Sequence, residues 1–221
     1  MSDFSIAVLI SGNGSNLQAI IDAIANQRLP TKISLVLSDR ETAFGLERAK
    51  KANITTRVVN PQNYASKEEF DLALKTVLDE YHPDLIVLAG FMRILGKPFV
   101  QHFNQQVINI HPALLPAYKG LNTHERALAS HAKIHGTTVH FVTESLDDGP
   151  IIAQSSLIIH PDDTPESLKH RVQQLEHTIY PLVISWFAEK KIAWLADGIY
   201  FEGKKIPVDG IKANGSPLSR G

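Results

Sequence analysis

Phe4-Ser5-Ile6-Ala7-Val8-Leu9-Ile10-Ser11-Gly12-Asn13-Gly14-Ser15-Asn16 is the stretch that decides the fold. Its apolar run, residues 4–10, predicts a strand covered on both faces, and it opens into a turn with two glycines. Over 16–26 the apolar residues Leu17, Ile20, Ile21 and Ile24 recur at helical spacing. Strand, glycine turn and helix in that order present free backbone N–H groups and the positive end of a helix to an anion. Gly12 and Gly14 let the chain turn tightly and approach a ligand, while Ser15 and Asn16 are expected to add donors and cap the helix. Leu17 stands where a dinucleotide fingerprint needs its third glycine, and no Gly-Lys-Ser/Thr completes a P-loop. A single phosphomonoester therefore fits better than a pyrophosphate. A plain, well-capped strand–helix turn is the alternative reading of the same residues.

Outward from this stretch the alternation continues. Residues 33–37 read as a second strand, 44–52 as a helix and 55–59 as a short strand. Ser66 caps a helix running to about Tyr81, with Glu69 at the capping-box position and Phe70, Leu74, Val77 and Leu78 on one face. Strands follow at 84–89 and 107–110, the latter stopped by Pro112. Strands alternating with helices predict an α/β fold with a doubly wound, mostly parallel, Rossmann-like sheet. Later come half-polar strands at 137–142 and 151–159 and a long helix at 165–189, whose Lys190-Lys191 pair suits a helix C-terminus. A β-hairpin of strands at 192–199 and 200–208 ends the pattern. We expect one domain over 1–211, with a nucleotide-side half to about 110 and a second half from about 111, then a mobile tail at 212–221.

Composition narrows the function. The chain has 221 residues, 43% of them hydrophobic, with 22 Lys plus Arg against 23 Asp plus Glu and no cysteine. Disulfides, Fe–S clusters, thiolate nucleophiles and cysteine zinc sites are excluded together. A net charge of −1 offers no footprint for nucleic acid and no polybasic membrane anchor. No apolar run is long enough to span a bilayer, and the N-terminus lacks the basic region of a signal peptide. The expectation is a soluble cytoplasmic enzyme that acts on small molecules.

Two segments carry chemistry. Asn109 and His111 lie two residues apart at the carboxyl end of a strand, so both project from one face, where open α/β sheets keep their sites. Downstream, Leu146-Asp147-Asp148-Gly149-Pro150 is an acidic turn between two predicted strands. A carboxylate that reaches an imidazole favours its cation and fixes its orientation. Local backbone pairing for Asn109 and His111, and ordinary Asx-turn chemistry for the aspartates, would account for the same residues.

The segments SGNGSN (11–16), AGFMRIL (89–95), NIHPALLP (109–116), HGTTVHFV (135–142), LDDGP (146–150) and EHTIYPLVI (176–184) follow one another in an order that resembles the phosphoribosylglycinamide formyltransferase family. The resemblance covers the chain from Ile6 to about Val208. It implies formyl transfer from 10-formyltetrahydrofolate, a co-substrate, to the amine of glycinamide ribonucleotide in purine synthesis. It also implies Asn109, His111 and Asp147 as the catalytic set. By the same resemblance Gly14, Ser15, Asn16, Gln173, Gln174, Leu175 and Glu176 meet the ribonucleotide. Lys67, Met92, Arg93, Ile94, Leu95, Thr143, Glu144, Ser145 and Leu146, with Asn109 and Asp147, receive the folate. No metal is implied, and the expected state is a monomer or weak homodimer.

The sequence departs from the family at three points. Lys67 stands where Arg is common, keeping the charge but not the planar fork. Asp148 replaces a residue often Gly or Thr, and Asp tolerates the left-handed backbone such a turn needs. Ala113 stands for a more usual Ser. Among rivals, methionyl-tRNA formyltransferase carries a further domain and needs a basic surface for tRNA, and formyltetrahydrofolate hydrolase resembles a longer chain. A noncatalytic nucleotide-binding module would leave Asn109, His111 and Asp147 without a purpose. A zinc site has ten histidines to draw on, among them His131 and His135 four apart, but His124-Glu125 lacks a second His at metalloprotease spacing.

Overall fold

The computed structural model describes residues 4–213. The first strand, β1 (Ser5–Ile10), runs through the glycine turn into α1 (Ser15–Ala25), followed by β2 (Lys32–Ser38), α2 (Phe44–Lys51), β3 (Thr56–Val58), α3 (Lys67–Tyr81) and β4 (Leu85–Leu88). Next come α4 (Lys97–His102), β5 (Val107–His111), α5 (Thr123–Ala129), β6 (Ile134–Phe141), β7 (Ile151–Ile158) and α6 (Pro165–Ala188). Four short strands, β8 (Ile192–Leu195), β9 (Gly198–Phe201), β10 (Lys204–Lys205) and β11 (Ile211–Lys212), complete the described chain.

Among the described residues eight strands form one sheet in the order β11-β7-β6-β5-β4-β1-β2-β3, in which β6 alone runs antiparallel to its neighbours. The doubly wound, mostly parallel α/β fold read from the sequence is the one observed. Strand order reverses at β1, which lies between β2 and β4; beyond the carboxyl ends of β1 and β4 such sheets leave a crevice for ligands. Alternation along β1 divides the core. Ile6, Val8 and Ile10 pack with Leu17 and Ile20 of α1 and Ile179 and Val183 of α6. Ala7 and Leu9 face the other way, onto Phe70 and Leu74 of α3 and Phe99 of α4. A strand buried on both faces has no polar side, which is why residues 4–10 read as one apolar run.

The helix ends explain themselves locally. Ser66 Oγ accepts from Glu69 N at 3.2 Å, while the Glu69 carboxylate returns to Ala65 N at 3.0 Å, one residue before the usual capping-box donor. At α6, Thr164 and Ser167 form the reciprocal box, and Pro165 occupies the first turn, where its missing N–H costs nothing. The hydroxyl of Tyr180, fully buried in α6, lies 2.9 Å from Leu88 O and 3.2 Å from Ile108 O, fastening the helix across β4 and β5. Among the described residues no helix is long and apolar enough to cross a membrane.

Several details differ from the sequence reading. α4 and α5 lie in segments too short and irregular to show a helical period. β6 starts at Ile134, three residues before the expected strand, because its partner β7 extends the ladder to an Ile134–Ile158 pair. α6 stops at Ala188, so the Lys190-Lys191 pair lies beyond it, and Lys191 instead pairs with Glu189 and Glu202. The expected C-terminal hairpin is present as β8–β9, with shorter strands, and β10 extends it to a three-stranded antiparallel sheet, β10-β9-β8, with turns at 196–197 and 202–203. It packs on the main body through Trp186 against Phe201 and Phe141 against Trp194. Of the tail expected at 212–221, Lys212 pairs in β11 with β7 and Ala213 N donates to Gln154 O, while 214–221 lie outside the described residues.

Candidate active site

The carboxyl end of β5 and the facing end of β6 meet in one cluster. Asn109 is the direct ladder partner of His140, and its Nδ2 lies 3.2 Å from His140 Nε2. His140 Nδ1 lies 2.8 Å from Phe141 O; a carbonyl only accepts, so Nδ1 carries the proton and Nε2 accepts from the amide. Burial lowers the His140 pKa, more than its bond to Phe141 O and the nearby Asp147 charge raise it, and so favours this neutral form. A β-bulge between Val139 and His140 shifts the β6–β7 register beside the site, as bulges near active sites commonly do.

Asp147 reaches the cluster from the turn after β6. Its Oδ2 stands 3.4 Å from His111 Nδ1 and accepts from Gly120 N at 2.9 Å. Its Oδ1 stands 3.8 Å from His140 Nε2. The other His111 nitrogen, Nε2, faces Tyr118 O at 2.9 Å, so oxygen acceptors stand at both ring nitrogens. His111 is 5% exposed and Asp147 9% exposed, so both side chains are largely sheltered from water. Asp147 itself, at φ 49°, takes the left-handed conformation that had been expected of Asp148. Gly149 lets the turn close on β6, because a Cβ there would stand 1.8 Å from Phe141 O. Lys119 pairs with Asp148, and Arg126 donates to Lys119 O at 2.6 Å.

A cavity of about 530 Å³ opens on this cluster. Met92, Arg93, Ile94 and Leu95 form one wall and Thr143, Glu144, Ser145, Leu146 and Asp147 another, with Asn109, His111 and His140 between them. Met92 (62% exposed) and Ile94 (59%) turn toward solvent, whereas Leu95 is buried among Phe70 and Phe99 and serves the core as well. Glu144 is tied to α4, accepting from Gln101 at 3.0 Å and pairing with Lys97 at 3.3 Å. Lys67 stands outside the cavity; it pairs with Asp71, which also accepts from Gly96 N just after Leu95.

The glycine turn, 12–16, forms a separate centre. Gly14 (φ 73°) precedes α1, and the turn lies so close to α2 that a Cβ on Gly14 would stand 2.7 Å from Gly45 Cα. Contrary to expectation, no side chain caps α1. Asn16 is drawn instead toward α6, where Nδ2 donates to Glu176 Oε2 at 2.9 Å, and Asn16 Oδ1 has no hydrogen-bond partner among the described residues. Burial pushes the Glu176 carboxyl up to about 7, against the Asn16 bond and the Lys169 charge, which lower it. Gln173, Gln174 and Leu175 lie on the turn of α6 leading to it, with Gln174 exposed. Neither this centre nor Lys67 lines the cavity.

Sequence reasoning missed His140, Tyr118, Gly120 and the stretch 121–125, all at or beside the cluster. His140 lay inside the quoted segment HGTTVHFV, and its parity with Thr138 on a strand was the available signal. Tyr118 and Gly120 act through backbone atoms, which residue type does not announce. Of the histidines weighed for a metal, His131 is exposed past α5, while buried His135 pairs with His124 at 3.2 Å.

Comparison with known proteins gives a uniform picture. A formyl transferase family profile matches residues 4–184. The phosphoribosylglycinamide formyltransferase of Escherichia coli K12 is 46% identical over 210 residues, covering 95% of this chain and 99% of that protein. The human trifunctional purine biosynthetic protein adenosine-3 is 44% identical over 200 residues, 87% of this chain but 20% of that longer protein. The solved structure of the phosphoribosylglycinamide formyltransferase of Coxiella burnetii superposes with a TM-score of 0.92 at 51% identity, covering 95% of this chain and 98% of that one.

Proposed function

The chain belongs to the formyl transferase family and is a formyltransferase, and from that premise we propose that it moves the formyl group of 10-formyltetrahydrofolate to the amine of glycinamide ribonucleotide, a step of purine synthesis. One observation carries the reading: Asn109, His111 and Asp147, from two distant segments, converge on a single cavity with the apolar wall at Met92 and Ile94. The cavity's size and its few polar groups suit a flat, heterocyclic ligand. The uncapped first turn of α1, at Gly14, Ser15 and Asn16, offers backbone N–H groups to the ribonucleotide phosphate, and Glu176 stands beside it. Because the eight-stranded sheet draws strands from both halves of the chain, 1–211 are read as one formyltransferase domain.

In this reading the ribonucleotide amine attacks the formyl carbon, and negative charge gathers on the formyl oxygen. Asn109 keeps one amide hydrogen on His140 and has the other to give to that oxygen; loss of one such donor elsewhere costs about 3–4 kcal/mol of transition-state stabilisation. His111, donating toward Asp147 and Tyr118 O when protonated at both nitrogens, stabilises the same charge. The new C–N bond forms as the amine gives up a proton, and the bond from carbon to the folate nitrogen breaks as that nitrogen gains one. On this reading Asp147 accepts the first proton and supplies the second.

The test is folate release from 10-formyltetrahydrofolate with and without glycinamide ribonucleotide. Acceptor-dependent release is expected. Release independent of the acceptor would make the protein a hydrolase, and loss of activity on chelation, restored by zinc, would contradict metal-free transfer.

A further inference from the structure

Asp39 lies one residue past β2, with its side chain fully shielded from solvent. Arg93 Nε donates to its Oδ2 at 2.8 Å, and Arg40 Nε approaches its Oδ1 at 3.3 Å. The Ser11 hydroxyl lies close to the same carboxylate and favours its charged form. Ser11 Oγ also accepts from Met92 N at 2.8 Å, and Ser11 N donates to Gly90 O at 3.2 Å. The sense of this relay is set by chemistry. A carboxylate only accepts, so the Ser11 hydroxyl turns its hydrogen toward Asp39 and keeps a lone pair for the Met92 amide. Two consecutive wall residues are thus tied to one buried carboxylate, Arg93 directly by its side chain and Met92 through Ser11. Burial raises the Asp39 pKa, but the bonds from Arg93, Ser11 and Arg40 outweigh it and hold the carboxyl below the usual range, so the anchor stays charged at neutral pH.

A buried carboxylate facing two half-exposed arginines is a weak device for stability alone. Its position suggests another use. It stands beyond the carboxyl ends of β1, β2 and β4, at the strand-order reversal, and Ser11 directly follows β1.

We propose that Asp39 is a positioning residue for the folate co-substrate: through Ser11 and Arg93 it holds the Met92 and Arg93 wall in the place that admits a flat ring system. The inference rests on the formyl-transfer reading above, and the two are separated by measuring binding apart from turnover. Tetrahydrofolate binding by calorimetry is compared in wild type, Asp39→Asn and Ser11→Ala, alongside kcat and both KM values. Asp39→Asn should weaken folate binding and raise the folate KM roughly tenfold, the scale of a lost charge-assisted hydrogen bond. Its kcat and ribonucleotide KM should stay within about twofold of wild type, since those groups lie outside the tether. Ser11→Ala, which leaves the Arg93–Asp39 pair, should shift the same constant less, and the double variant should bind no worse than Asp39→Asn. A lowered melting temperature with unchanged folate affinity, or an equal rise in both KM values, overturns the proposal in favour of a purely structural anchor. If Asp39→Asn does not fold, Ser11→Ala decides alone, and unchanged folate affinity there has the same force. A wild-type protein that binds no tetrahydrofolate overturns the formyl-transfer reading, and this inference with it.

Discussion

Asn109 Nδ2 and His140 Nε2 stand 3.2 Å apart as direct partners on the β5–β6 ladder. The contact orients an amide whose nitrogen and oxygen would otherwise be free to exchange places. His140 is itself fixed by Phe141 O, so the orientation of Asn109 derives from the backbone of the sheet. Groups held this way need not reorganise during reaction.

Replacing His140 by Ala should leave the fold intact and lower kcat by roughly ten- to a hundredfold, because the Asn109 amide loses its orientation. Steady-state kinetics with a matching far-UV spectrum checks this. A kcat equal to wild type would separate His140 from the function of Asn109.

Asp147→Asn preserves shape and can still accept from Gly120 N, but it carries no charge toward His111 and takes up no proton. Turnover should fall about 100- to 10,000-fold while the melting temperature moves little. Near-normal turnover would remove Asp147 from the chemistry.

His135 has no exposed surface, and burial, with the charges of His124 and His111, lowers its pKa to about 4. Between that value and the ordinary 6.5 the unfolded chain binds a proton that the folded chain refuses. Its contribution to stability is therefore full above pH 6.5 and is lost as pH falls toward 4, by about 1.4 kcal/mol per pH unit. Denaturant melts across this window should show a shallower slope for His135→Asn than for wild type. Equal slopes would mean that His135 is protonated in the fold.

Glu176 has the opposite sign. Its folded pKa of about 7 lies above the ordinary 4.5, so the folded chain keeps a proton that the unfolded chain has released. That contribution is present below pH 4.5 and fades as pH rises through 7, again by about 1.4 kcal/mol per pH unit. Glu176→Gln, neutral at every pH, should be the more stable protein at pH 8 and should lose this part of the slope. Identical pH–stability curves for the two proteins would show that the carboxylate is ionised in the fold at no cost.

Much of the fold was legible because its signals are short-ranged. The all-apolar runs of β1 and β4 announce strands covered on both faces, and Ser66 with Glu69 announces a helix start within four residues. α4 and α5 carried no such period, and the capping role expected of Asn16 failed because α1 begins at Ser15, so that Asn16 already lies within its first turn. Of the candidate site, Asn109 and His111 were visible as polar residues ending an apolar strand, and Asp147 as part of an acidic turn.

The sequence by itself therefore determined the layer order, the parallel sheet and the residue types available for chemistry, since propensity, periodicity and turn chemistry act over a few residues. Only the tertiary structure decided which of them meet. The antiparallel return of β6 places His140 opposite Asn109, and the turn held against β6 by Gly149 swings Asp147, rather than Asp148, toward His111. Packing of α6 on the sheet brings Glu176 to Asn16 and raises its pKa by removing water. These contacts depend on how packed elements exclude solvent and on which backbone atoms they leave facing inward, and neither property belongs to any local stretch of residues.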